Sequence, residues 1–185
     1  MKLNKQSSAY FIAFFTFVIF GFVLVLNAAN NFMKDKIELS KQKEITTLLT
    51  QHMPCNDFKE SKINKSHFYY CKNQNIIAIH NFSPVAYAGK IEYLALFNLD
   101  TQFIKQINII THKETPGLGD KIENDNWLAT LYNKTINLLS LKQQGGAIDS
   151  FTAASITPKS FLKGLRNDIE WLKANQEKIN QITKG

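Results

Sequence analysis

Arginine is almost missing from this chain: of 22 Lys and Arg residues only Arg166 is an arginine, against 15 acidic residues, for a formal charge of +7. Nucleic-acid surfaces use arginine forks and local basic clusters, and here the lysines are scattered, which argues against a nucleic-acid partner. The charge reads as solubility and compatibility with a membrane surface. Cysteine is also scarce, with Cys55 and Cys71 the only two. Neither a Cys-x-x-Cys pair nor a His pair accompanies them, and His52, His67, His80 and His112 are dispersed, so no metal site is expected. Internal repeats, low-complexity linkers, a P-loop, a nucleophile elbow and a dinucleotide fingerprint are all lacking, and the run Gly145-Gly146-Ala147 is too short to stand for the last. That leaves no signature of a stand-alone hydrolase, nucleotidase or nicotinamide dehydrogenase.

The first clear positive feature is apolar. From Tyr10 to Leu26 no charge occurs, and with flanking Ser, Ala and Asn residues the stretch reaches roughly twenty positions, enough to span a bilayer as a helix. The run is longer than the 7–15 residues of a signal-peptide core, and the small-residue site near Asn27-Ala28-Ala29 is only passable, so length favours a retained anchor over a cleaved leader. Lys2 and Lys5 precede it and place the N-terminus in the cytoplasm, an asymmetry weakened by Lys34 and Lys36 behind it. The expected organisation is an N-terminal membrane anchor over 1–29, a juxtamembrane helix over 30–53 and one domain over 54–185, facing outward. About 150 residues beyond the anchor suffice to bury a core without metals or many disulfides.

Within 30–52 the apolar residues Phe32, Ile37, Ile45, Leu48 and Leu49 recur at helical spacing. Pro54 to Lys65 is polar and turn-rich. His67 to Tyr70 and Ile76 to Ile79 flank the turn signal Lys72-Asn73-Gln74-Asn75 as a hairpin would, and a small-residue turn follows over Ala86 to Lys90. Strands are then expected over Ile91–Phe97 and Phe103–Ile110, either side of Asn98-Leu99-Asp100. Asn126 to about Leu139 reads as a short helix or a helix-strand element. Thr157-Pro158 reads as the start of the clearest helix, with Thr157 as N-cap, running to about Gln176. The fold class is α+β, with antiparallel hairpins in one compact domain. Cys55 and Cys71 admit two readings, a local disulfide contributing about 3 kcal/mol or a pair of buried thiols.

Two short runs carry chemistry. In Glu114-Thr115-Pro116-Gly117-Leu118-Gly119 the glycines permit close approach, Pro116 stiffens the turn, Leu118 offers an apolar surface, and Glu114 and Thr115 offer an acceptor and a hydroxyl to the polar edge of a planar ring. By composition alone a plain strand-to-helix loop is at least as good a description. In Asp149-Ser150-Phe151-Thr152-Ala153-Ala154-Ser155 a hydroxyl precedes a helix start, where free backbone N–H groups and Lys159 favour a phosphate by about 0.3–1 kcal/mol.

The run His112 to Ile122, with Trp127 shortly after, resembles the signature of the RnfG-type flavin-binding subunits of Rnf ion-translocating electron-transport complexes. The NqrC-type subunits of sodium-translocating quinone reductase are similar. The resemblance extends over nearly the whole chain, and the compact length favours the Rnf type. It implies covalent flavin mononucleotide (FMN), joined by a phosphoester to a Thr or Ser hydroxyl within a pattern of Asp, two free positions, Ser or Thr, Gly, Ala and the acceptor. Those positions are Asp149, Thr152, Ala153, Ala154 and Ser155, so Ser155 is the implied acceptor. Ala153 stands where Gly is usual and Ser155 where Thr is usual.

The resemblance further implies an electron relay with no catalytic acid or base, in a single-pass phosphoester-modified component of an inner-membrane translocase with its domain periplasmic. Its partners would be the other members of the complex and a flavin transferase that installs the group. Two alternatives stand beside it: a flavin-free assembly component, and a membrane-tethered domain binding flavin non-covalently.

Overall fold

A computed structural model describes residues 5–64 and 66–184. Lys2, one of the two lysines that orient the apolar run, lies outside the described residues, as do Lys65 and Gly185. The chain forms two compact units, one up to Lys43 and the other from Glu44 onward. Helix α1 runs over Lys5–His52; it makes up the described part of the first unit, and its last residues, from Glu44 onward, belong to the second. Within the first unit its residues Phe14, Phe17, Phe22 and Leu26 are more than half exposed. The apolar part of this helix has the length and composition to cross a membrane.

The second unit is built on a five-stranded antiparallel sheet in the order β1-β2-β3-β4-β5, a simple meander. The strands are β1 (Lys59–Ile63), β2 (Ser66–Tyr70), β3 (Ile76–Phe82), β4 (Glu92–Asn98) and β5 (Ile104–Thr111). Register follows the period-two pattern of the sequence: Ile79 faces Ala95 and Ala95 faces Ile107, so one alternate set of β3, β4 and β5 falls on the same face.

Both faces are covered. On one, helix α3 (Ile156–Lys184) lays Phe161, Leu165, Ile169, Leu172 and Ile179, at helical spacing, into a core shared with Phe68, Ile77, Tyr93 and Phe97. On the other, Ile45 and Leu49 from the last turns of α1, with Met53 just after, pack with Cys71, Ala78, Leu94 and Leu96. That second cover explains why β4 is buried on both sides and shows no polar alternation. Cys55 and Cys71 form a disulfide with Cα atoms 6.0 Å apart, tying the segment after α1 to the end of β2.

The helix expected over 30–52 is present as part of α1, and of its apolar residues Ile45 and Leu49 are buried whereas Phe32 and Ile37 are exposed. Three expectations need correction. The polar stretch 54–65 contains strand β1, a charged edge strand in which only Ile63 is buried, so its apolar signal is nearly nil. The helix after Asn124 is only Asp125–Ala129 (α2); turns follow, and Asn133 takes a left-handed φ of 55°. Finally, α3 begins one residue before Thr157 and runs to Lys184, because Ile179 and Thr183 are fully buried and hold its last turns down.

Candidate functional site

After β5 the chain turns into the Glu-Thr-Pro-Gly-Leu-Gly loop, which is fixed largely by its own backbone. The Thr115 carbonyl accepts from the N–H groups of both Leu118 and Gly119 at 3.1 Å, and Gly117 N–H donates to Asp120 Oδ2 at 2.9 Å. Gly117 has φ +77°, a conformation that L side chains rarely adopt. Gly119 serves close packing instead: a Cβ there would lie 2.7 Å from Glu114 Oε2 and 2.8 Å from Glu114 Cβ.

Glu114 is 5% exposed. Its Oε1 accepts from Ala88 N–H at 2.9 Å, and its Oε2 accepts from the Thr157 hydroxyl. One carboxylate therefore links three segments: the turn between β3 and β4, its own loop and the first turn of α3. Expected as an acceptor for a ring edge, Glu114 has each oxygen already engaged with the protein and brackets the site.

The second motif is held from below by aromatic packing. Trp127 packs against Phe151 with ring centroids 4.8 Å apart and the planes tilted by 57°, and its Nε1 donates to the Asp149 carbonyl at 3.0 Å. The Asp149 carboxylate forms an exposed ion pair with Lys142 Nζ at 2.8 Å. A tight turn follows, with Ala154 N–H donating to Phe151 O at 3.2 Å and Ala153 at φ +61°. The turn delivers Ser155 to the cap position of α3, where its carbonyl accepts from Lys159 N–H at 3.3 Å. Ser155 is exposed, whereas Thr157 is 1% exposed and committed to Glu114. Thr157, expected as the N-cap, is thus a buried first-turn residue.

The two motifs meet at a cleft of about 340 Å³. Glu114, Thr115, Leu118 and Gly119 line it from the first motif, and Ala153, Ala154 and Ser155 from the second. Gly117, Asp149 and Thr152 do not line it; the first shapes its loop, and the backbone and side chain of the second are held by Trp127 and Lys142. Ile156, Thr157 and Tyr87 complete the lining. Tyr87 escaped the sequence reading. Its one signal was an aromatic residue inside a turn of small ones, Ala86-Tyr87-Ala88-Gly89.

The core also holds a buried ionisable pair. The Tyr93 hydroxyl donates to Asp168 Oδ2 at 2.7 Å, and Asn81 Nδ2 donates to Oδ1 at 2.6 Å. Burial pushes the Asp168 carboxyl up to about 6 against the opposing pull of both donors, and burial likewise raises the Tyr93 phenol well above its ordinary value. Among the described residues no group of three or more His, Cys, Asp or Glu side chains could hold a metal ion.

Comparison with known proteins bears on the same two motifs. The FMN-binding domain family matches residues 86–170, a span that begins just before Tyr87 and includes both motifs. The G subunit of an ion-translocating oxidoreductase complex from Vibrio vulnificus is 30% identical over 171 residues, covering 79% of this chain and 80% of its own length. The protein of that description from Shewanella amazonensis is 31% identical over 185 residues, covering 84% and 86%. One from Buchnera aphidicola subsp. Schizaphis graminum is 29% identical over 199 residues, covering 94% and 96%.

Proposed function

This chain belongs to the family of G subunits of ion-translocating oxidoreductase complexes, and from that membership we propose that it is an electron-transfer component carrying FMN as a phosphoester on Ser155. The observation that carries the reading is the convergence of two motifs, distant in sequence, on one cleft with an exposed hydroxyl at its helical end.

The residues fit the group. Leu118 and Ile156 are 40% and 54% exposed and offer apolar surface to a flat ring. Gly119, Ala153 and Ala154 keep the lining narrow, and a cleft of about 340 Å³ falls within the usual range for a cofactor-sized ligand. At the other end, the first-turn N–H groups of α3 and the macrodipole favour a phosphate on Ser155 Oγ.

FMN supplies the redox chemistry when bound, taking up and passing on electrons. The chain holds and shields it: Ser155 fixes the phosphate, Leu118 and Ile156 exclude water, and Glu114 keeps loop and helix in register. Attachment calls for a separate transferase using flavin adenine dinucleotide. The Ser155 hydroxyl oxygen forms the new bond to phosphorus, the pyrophosphate bond breaks, adenosine monophosphate leaves and the hydroxyl proton is released. α1 supports a single-pass anchor in the inner membrane, with the remaining chain periplasmic and docked to the other members of an Rnf-type complex. One apolar span does not form an ion pathway, so coupling belongs to the whole complex.

Co-expression with a flavin transferase, followed by intact-mass measurement, tests the proposal. The expected product gains one FMN less water and fluoresces in a denaturing gel. Protein of unmodified mass with loosely held flavin would favour the non-covalent reading, and colourless protein the scaffold reading.

A further inference from the structure

We propose that Tyr87 is a positioning residue for the flavin ring, held against the cleft by Glu114 through the backbone of Ala88. The proposal rests on the functional reading above and names a side chain that reading does not use.

Tyr87 sits on a turn whose backbone is tied at several positions on either side of it. Ser83 N–H donates to Ile91 O at 2.8 Å, and Ile91 N–H returns to Ser83 Oγ at 3.0 Å. Ala86 N–H donates to Gly89 O at 2.7 Å, Ser160 Oγ donates to Pro84 O at 2.7 Å, and Ala88 N–H donates to Glu114 Oε1. Yet the ring on this fixed turn is 71% exposed, and the residue lines the cleft. A lone exposed aromatic is ordinary on a protein surface. A rigidly tethered one beside Leu118 and Ile156, both exposed and apolar, is instead arranged for a flat ligand. Aromatic rings pair with one another beyond simple area burial, and the phenol is an electron donor to a photoexcited flavin in contact with it.

Glu114 makes the arrangement specific. Its other oxygen holds Thr157, two residues beyond Ser155. The same carboxylate therefore sets the turn that carries the aromatic ring and the helix start that carries the attachment hydroxyl. Displacing Glu114 moves Tyr87 relative to the attached group without touching either.

The test uses the full-length protein, flavinylated by co-expressed transferase, with loading verified by mass. Variants are Tyr87→Leu, Tyr87→Phe, Glu114→Ala and the double Tyr87→Leu/Glu114→Ala. The readouts are native-state fluorescence lifetime, visible absorbance and midpoint potential, with the denatured lifetime as reference. Tyr87→Leu should lengthen the native lifetime several-fold and shift the absorbance. It should also change the ratio of oxidised to reduced flavin by up to about tenfold, which is about 30 mV for a two-electron couple.

Tyr87→Phe should lengthen the lifetime while keeping the absorbance, because it retains the ring and loses the donor. Glu114→Ala should reproduce the Tyr87→Leu lifetime, and the double variant should add nothing to it. Unchanged lifetime and absorbance in loaded Tyr87→Leu, whose exposed side chain is not needed for folding, would overturn the proposal. Additive effects in the double variant would overturn the role of Glu114. Wild-type protein without flavin mass would remove the functional reading itself, and this inference with it.

Discussion

The Glu114 carboxylate accepts a hydrogen bond from the hydroxyl of Thr157, a residue 43 positions later, and so clamps the Pro-Gly loop to the first turn of α3. Both partners are almost completely buried, at 5% and 1% exposure. Removing the carboxylate strands two donors, the Thr157 hydroxyl and the Ala88 N–H. Glu114→Ala should lower stability by about 1–3 kcal/mol for each donor that water does not reach. Glu114→Gln keeps one acceptor and, by rotation of the Thr157 hydroxyl, both contacts, so it should lose less. Urea denaturation of the two variants checks the order: an equal loss would mean that the amide does not restore the contacts, and no loss in either would show that the clamp is unimportant.

Ser155→Ala should abolish covalent flavin while leaving the fold intact, and Ser155→Thr should retain it. Denaturing-gel fluorescence and circular dichroism read the two parts separately. Fluorescence surviving in Ser155→Ala would assign the ester to another hydroxyl.

Ala153 occupies φ +61°, where related sequences are expected to place glycine. The left-handed region costs a non-glycine residue about 1–2 kcal/mol, and glycine returns about 0.5–1 through the unfolded chain. Ala153→Gly should therefore stabilise the protein by about 0.5–1 kcal/mol. The denaturation midpoint should rise with no change in slope; a fall would mean the turn is not strained.

Asp168 gives the stability a pH dependence of unusual sign for a carboxylate. Its folded value of about 6 lies above the ordinary 3.8, so between those values the native state binds the proton that the unfolded state has lost. The protonated form's advantage is complete below about pH 4 and is lost as pH rises through about 6, an effect of about 3 kcal/mol. Asp168→Asn should flatten that part of the stability curve. An equally steep decline in the variant would assign it to another group.

The disulfide closes a loop with a sequence separation of 16. Cys55→Ser/Cys71→Ser should lose about 3 kcal/mol in the chain-entropy account, read as a lower urea midpoint. No loss would mean that the Ile45 and Leu49 packing alone holds the end of α1 to the sheet.

Much of this was legible in the residues, for reasons that can be stated. Strands β3, β4 and β5 were readable because β-branched and aromatic residues run between good turn signals, as at Asn98-Leu99-Asp100. β1 was not, since Lys59, Glu60, Ser61 and Lys62 form an edge whose only buried residue is Ile63. The start of α3 was misplaced by two residues because Thr-Pro mimics a cap, and only the tertiary partner Glu114 shows why that threonine is buried. The lining of the cleft by the two motifs was expected from resemblance, since no local pattern relates Leu118 to Ala154. Tyr87 lay beyond both kinds of reasoning: its significance depends on a turn pinned to a carboxylate distant in the chain.

Two hydroxyls only two residues apart, Ser155 and Thr157, face opposite fates at the head of α3, one reachable from solvent and one withdrawn. In an extended chain nothing but neighbouring sequence would tell them apart. Folding itself makes the choice, so any enzyme that decorates this protein has a finished surface to work on, and its selectivity can be coarse where the substrate's shape has already eliminated the competitor.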